Sequence, residues 1–244
     1  MELIKIGKQY SAIEIIYEEV TSIEDFNQVL SENANIDIVL ISSHGTYENN
    51  IAGLCIGNEV LVYDDQINCE IPGVVLLSAC HVSPRGKNVI SIVDTLIRKG
   101  ACVVLGTCIP VQVDRNALLM KRLILNIVFT LKKESGFKNL SELWSFVSTS
   151  NAFDDIIHSN KFLIRWIEDE RNRGRDIEKE FKLRSEMKIT NINIYEDILK
   201  VLCDIATDDK MKNNLNKLIK TEDYFPESLF YCIYGFPENI IFDI

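Results

Sequence analysis

No CxxC pair, no apolar run near the length of a membrane span and no Gly-rich phosphate loop occurs in the 244 residues. Each absence removes a class of function. Without paired cysteines the ligand spacing of a structural zinc site is missing, and His44, Cys80 and His81 offer only a loose alternative. A bilayer span needs about 20 consecutive apolar residues, and the opening Met1-Glu-Leu-Ile-Lys-Ile lacks the basic head and long apolar run of a secretory signal. The missing phosphate loop argues against a nucleotide or metabolite binder. Basic excess is absent as well: 26 Lys and Arg face 36 Asp and Glu, a net charge of -10 with pI near 4.9. Nucleic acid and anionic membrane are therefore poor partners. An acidic total suits a basic protein or peptide, although acidity most often serves solubility alone. No internal repeat or low-complexity segment is present.

What remains is a chain that is 47% hydrophobic, enough for one sizeable core with an insertion. Seven cysteines, an odd number, together with the missing signal, point to a reducing cytoplasm and no disulfide framework. Cys55, Cys102, Cys108 and Cys232 sit among apolar neighbours, where a free thiol packs as a small hydrophobe. Neither a metal nor a cofactor is expected.

Along the chain, residues 2–6 and 12–18 read as short strands. Ser22 caps a helix with Asp25 at the capping-box position, and residues 36–41 form a near-continuous apolar strand of the kind buried on both faces of a parallel sheet. A polar loop, residues 46–50, leads to a hairpin turning at Gly57-Asn58. Residues 74–77 are a second buried strand, 88–99 a helix stopped by Gly100, and 101–105 a third strand. Asp114 caps a long helix to about Lys133. This alternation predicts an α/β fold of layered helices and sheet. From residue 139 the pattern turns helical (140–147, 154–171, 195–206, 210–221), with a charged run at 168–180 read as a solvated face or loop. Pro226 to Gly235 returns to strand. The chain, 1–244, is thus one α/β domain with a helical elaboration at about 139–224.

Chemistry concentrates at two strand ends. Asp37-Ile-Val-Leu-Ile-Ser-Ser-His44-Gly45 and Val74-Val-Leu-Leu-Ser-Ala-Cys80-His81 each close an apolar run with small residues and then a reactive side chain. As neighbouring parallel strands they would set an imidazole beside a thiol. A free thiol, with pKa about 8.5, is mostly protonated at neutral pH, and an adjacent imidazole can take its proton. The N–H groups of Gly45 and Cys80 are the natural oxyanion donors, and Gly45 leaves room for a peptide carbonyl. Active sites of open α/β sheets lie beyond the carboxyl ends of strands. The bland alternative is a packed cysteine and a plain turn, which spacing alone favours. His81 is a weaker base candidate because it adjoins the thiol, and His158 lies in the helical region.

These motifs, followed by Leu96-Ile-Arg-Lys-Gly100-Ala101-Cys-Val-Val-Leu-Gly and the closing Phe230-Tyr-Cys-Ile-Tyr-Gly-Phe-Pro237, resemble the CHAT family, caspase-like cysteine peptidases related to separase. The resemblance covers roughly residues 36–133 and 226–237. It implies a caspase-type three-layer α/β sandwich with a mainly parallel central sheet. It implies His44 as general base and Cys80 as nucleophile of a dyad, and a segment Gly106–Asp114, including Thr107, Cys108 and Asp114, lining the substrate pocket. The family's Trp and acidic pair after the third strand are replaced here by Cys108-Ile-Pro-Val-Gln112, so arginine specificity does not carry over. It further implies a protein substrate and a regulatory or sensor partner, often in prokaryotic defence or cell death. A catalytically silent CHAT-like interaction module is the alternative.

Overall fold

The amino-terminal residues fold differently from the expected strand. In the computed structural model, which describes residues 2–185, 193–221 and 227–242, Glu2–Gln9 is a helix, α1. Leu3 and Ile6 stand three apart, and Ile6 is buried. A run this short satisfies helical and strand periods alike; here the helix wins, and Tyr10 just after it meets the Phe129 ring edge-on at 5.9 Å. Residues 13–21 take no regular structure, leaving Ile16 and Tyr17 exposed. Helix α2 (Ile23–Glu32) starts at Ser22, whose Oγ accepts the Asp25 N–H at 3.0 Å.

Strand β1 (Ile38–Ser42) leads through His44 into β2 (Gly45–Glu48), which pairs antiparallel with β3 (Ile51–Ile56). The expected polar loop is therefore half strand. Its turn is Asn49-Asn50 at φ of 51° and 66°, the left-handed pair of a type I′ hairpin, which Asn tolerates. Strand β4 (Glu59–Leu61) completes this three-stranded sheet through the Gly57-Asn58 turn. Then come β5 (Val74–Ser78), α3 (Ile92–Arg98), β6 (Val103–Thr107) and α4 (Val113–Leu131). Helix α3 starts later than its periodicity suggests. Ser91 caps it, and Ile90 exchanges backbone bonds with Asn50 and Ala52 instead of joining it.

The second sheet has the order β1-β5-β6-β7, where β7 is Tyr231–Gly235. Its first three strands are parallel, and β7 runs antiparallel to β6. Alternate residues of β5 feed two cores. Val75 and Leu77 pack with α2, α3, β3 and β4, whereas Val74 and Leu76 pack with α4 and the start of α5 (Leu140–Ser159). A strand covered on both faces explains the unbroken apolar run. The protein is thus α/β, with a mostly parallel four-stranded sheet between two apolar layers.

Residues Met1–Val147 and Phe230–Ile244 form one compact unit, and Ser148–Leu229 forms another. The second contains the end of α5 with α6 (Lys161–Asn172), α7 (Ile177–Ser185), α8 (Ile194–Ile205) and α9 (Asp209–Thr221). It has its own core around Ile156, Trp166, Ile198, Leu202 and Leu215, with Phe153 stacked on Phe181 at 4.2 Å. The charged run at 168–180 is not wholly solvated. Glu170 is buried and paired with Arg173 and Arg175, and Arg175 also binds Glu180 and the Ile205 carbonyl. Burying a carboxylate requires such partners, and helical periodicity does not reveal them. The expected strand from Pro226 begins outside the described residues at 222–226; Glu227–Phe230 is a 3-10 turn, and the strand proper starts at Tyr231. Among the described residues no helix is long and apolar enough to cross a membrane.

Leu77 is fully buried and Leu183 is 70% exposed. Leu77→Ala is expected to destabilise by about 2–5 kcal/mol and Leu183→Ala by less than about 0.5 kcal/mol, read as the change in urea unfolding free energy.

Candidate functional site

Parallel pairing sets Ser42 of β1 opposite Ser78 of β5, so both strands end at one level. Ser43 N–H extends the contact to the Ser78 carbonyl at 3.4 Å. His44 follows Ser42 by two residues and Cys80 follows Ser78 by two, which brings their backbone segments together. The closest approach is at Gly45. A Cβ there would lie 1.7 Å from the Cys80 carbonyl oxygen, so any side chain would force the two loops apart.

The hairpin also orients Gly45. The His44 carbonyl accepts the Cys55 N–H at 2.8 Å, making His44 and Cys55 a hydrogen-bonded pair. Antiparallel pairs alternate, so Gly45, opposite Leu54, belongs to a pair whose N–H groups point away from the partner strand. The Gly45 N–H is therefore not spent on β3. Among the described residues no group accepts the Cys80 N–H either. Two backbone donors thus stand available at adjoining strand ends.

Cys80 is half-buried, and its sulfur faces the segment between β6 and α4. Sγ accepts the Val111 N–H at 3.4 Å and lies 3.8 Å from the Val111 carbonyl. An N–H donor at the sulfur is complementary to a thiolate. The His44 imidazole is exposed and has no hydrogen-bond partner among the described residues. The strand ends meet, while the sulfur itself rests against Val111.

His81 has φ of +53°, a left-handed conformation unusual for a non-glycine residue. It bends the chain sharply just after Cys80 and is held there by its N–H to the Ile109 carbonyl at 3.4 Å. Its ring stacks on Tyr47 of β2, with centroids 6.2 Å apart and planes at 27°.

The three residues expected along the pocket go to different places. Thr107 is fully buried, and its Oγ1 donates to the Ala79 carbonyl at 2.8 Å with the Ile109 carbonyl at 3.1 Å. It cannot line a pocket; it ties the Cys80 turn to β6. The Cys108 sulfur lies beside Ser83, Tyr234 and Cys232. Asp114 is exposed in the first turn of α4 but does not cap the helix, because Gln112 occupies that position. An acidic residue there complements the positive helix end.

Other residues in the assembly escape sequence reasoning. Asn116 of α4 is buried; its Nδ2 donates to Ser78 Oγ at 2.8 Å and its Oδ1 accepts the Tyr231 hydroxyl at 2.6 Å. One amide thereby joins the end of β5, the first turn of α4 and the start of β7. An asparagine on the apolar face of α4 was the available signal, but nothing local names its partners. Burial raises the pKa of the Cys232 thiol and of the Tyr234 hydroxyl nearby. Among the described residues no group of three or more His, Cys, Asp or Glu is placed to hold a metal ion.

Two variants probe this assembly. Tyr231→Phe strands the buried Asn116 Oδ1 and is expected to destabilise by about 1–3 kcal/mol in urea unfolding. Gly45→Ala is expected to lower the melting temperature and to change the rate at which Cys80 is alkylated, followed by peptide mass spectrometry. No protein-family model and no curated protein matches the chain.

Proposed function

We propose that this chain is a cysteine endopeptidase of the CHAT type, built on a caspase-like version of the α/β sandwich and cleaving specific protein substrates through Cys80 and His44. The observation that carries the reading is the in-register parallel pairing of β1 and β5, which brings a His-Gly turn and a Cys turn to adjoining strand ends. The Gly45 N–H, turned away from β3, and the Cys80 N–H, which no group among the described residues accepts, support it as oxyanion donors.

In this reaction the thiol turns from Val111 toward His44 and gives the imidazole its proton. The sulfur attacks the substrate carbonyl carbon, and the oxyanion draws on the Gly45 and Cys80 N–H groups. Protonated His44 then donates to the departing amine, leaving a thioester. Water, deprotonated by His44, releases the acid and restores the thiol. Val111 borders the sulfur, and Val113, 77% exposed, and the exposed Asp114 follow it along the chain. With the sulfur resting on Val111 the peptidase stays silent, and a regulatory or sensor protein partner that swings it to His44 would switch it on, as an effector in prokaryotic defence or cell death requires. The protein's acidity, with no long apolar helix among the described residues, fits a cytoplasmic setting without nucleic acid or membrane as direct partner.

The resting sulfur on the Val111 backbone and a His44 imidazole without a hydrogen-bond partner among the described residues favour a second reading, a catalytically silent CHAT-like module. A proteome-wide screen for new amino termini separates them, comparing wild type with Cys80→Ala in the presence of whatever partner copurifies. The peptidase reading expects discrete cleavages that vanish in Cys80→Ala and slow about 10²–10⁴-fold in His44→Ala. Cleavage persisting in Cys80→Ala sinks the mechanism. Equal partner binding by both proteins with no cleavage by either establishes the silent module.

A further inference from the structure

The thiols of Cys108 and Cys232 lie 3.8 Å apart, and among the described residues no other two cysteine sulfurs touch. Cys108 follows β6, and Cys232 is the second residue of β7, opposite Gly106. The Cys108 N–H donates to the Phe230 carbonyl at 3.1 Å, extending the ladder by one step. The two cysteines are thus diagonal neighbours on one face of an antiparallel pair, close enough for their side chains to meet. Both are half-buried rather than sealed. Polar groups surround them: Ser83 Oγ is 3.5 Å and the Tyr234 hydroxyl 3.6 Å from the Cys108 sulfur, and the Arg85 guanidinium lies 4.5 Å over the Tyr234 ring.

We infer that Cys108 and Cys232 form a peroxide-responsive dithiol, a modification site that closes to a disulfide on oxidation. The inference is independent of any role for Cys80 in catalysis. In the first step the Cys108 thiolate attacks one oxygen of hydrogen peroxide. An S–O bond forms, the O–O bond breaks, and the departing hydroxide takes a proton to leave as water. In the second step the Cys232 sulfur attacks the sulfenic sulfur. The S–S bond forms, the S–O bond breaks, and a second water carries off the Cys232 proton. Two thiols lose two electrons and two protons to one peroxide, giving one disulfide and two waters. Burial holds the Cys232 thiol above its ordinary pKa, which makes it a poor first attacker on peroxide.

Closure brings the sulfurs from 3.8 Å to ~2.05 Å, a movement shared by side-chain rotation and the strand end. The consequence is topological. The chain between the two cysteines contains all of Ser148–Leu229, so the disulfide would clasp the two strands between which the second unit is inserted. Closing so long a loop restricts the unfolded chain more than the folded one.

The test treats the native wild-type protein with equimolar hydrogen peroxide, blocks free thiols with N-ethylmaleimide, and maps cross-links by non-reducing digestion and mass spectrometry. The expected result is a dominant Cys108–Cys232 cross-link that is reversed by dithiothreitol, still forms in Cys80→Ala, and raises the melting temperature. It should vanish in Cys108→Ser and Cys232→Ser, and its yield should fall sharply when peroxide is added in urea. The inference is overturned if both thiols remain alkylatable while exposed Cys102 oxidises, or if Cys108 proceeds to sulfinic acid with no cross-link. Wild-type mapping decides the matter even if the serine variants fail to fold.

Discussion

The pairing of β1 with β5 is the constraint on which the candidate site depends. Strand β5 lies between β1 and β6 and is buried on both faces, so its register is locked by apolar contacts above and below the sheet. A slip of one residue against β1 would move the strand ends by about 3.3 Å and turn the apolar residues of one strand to the wrong faces. With the register as it is, Ser42 and Ser78 end level, and the chain leaves both strands in short turns of small residues. Gly45 then comes against the Cys80 carbonyl with no space for a methyl group. The His44 and Cys80 turns are consequently held together by backbone packing alone, whichever way the two side chains point.

A second layer of restraint lies beneath the thiol. Thr107 ties the Ala79 carbonyl to β6, and Asn116 joins β5, α4 and β7 through Ser78 and Tyr231. Thr107, Asn116 and Tyr231 are buried and satisfied, which makes the arrangement rigid and costly to break. It fixes the first turn of α4, and with it the Val111 N–H that meets the Cys80 sulfur. The same segment carries Cys108 on its way to α4. The Cys80 and Cys108 sulfurs therefore both border the stretch between β6 and α4, though the two have different neighbours.

The second unit has its own apolar core and a buried Glu170 held by two arginines. Such a carboxylate contributes specificity of packing more than net stability, because its desolvation offsets much of its attraction to Arg173 and Arg175.

How much of this was legible beforehand follows the range of the interactions. The buried strands, the Ser22 cap, the Gly57-Asn58 hairpin and the strand-end placement of His44 and Cys80 all rest on contacts within a few residues or on simple alternation, and the sequence alone determines them. The α1 helix and the Asn49-Asn50 hairpin were misread because short runs satisfy two periods, and because Asn, like Gly, accepts the left-handed turn. Nothing local could place Val111 on Cys80 across 31 positions, Tyr231 on Asn116 across 115, or Cys232 on Cys108 across 124. Those contacts exist only once α4 packs on the sheet and β7 returns to its edge. The sequence names the reactive side chains; the tertiary structure decides what each one touches, because that is set by packing between elements far apart in the chain.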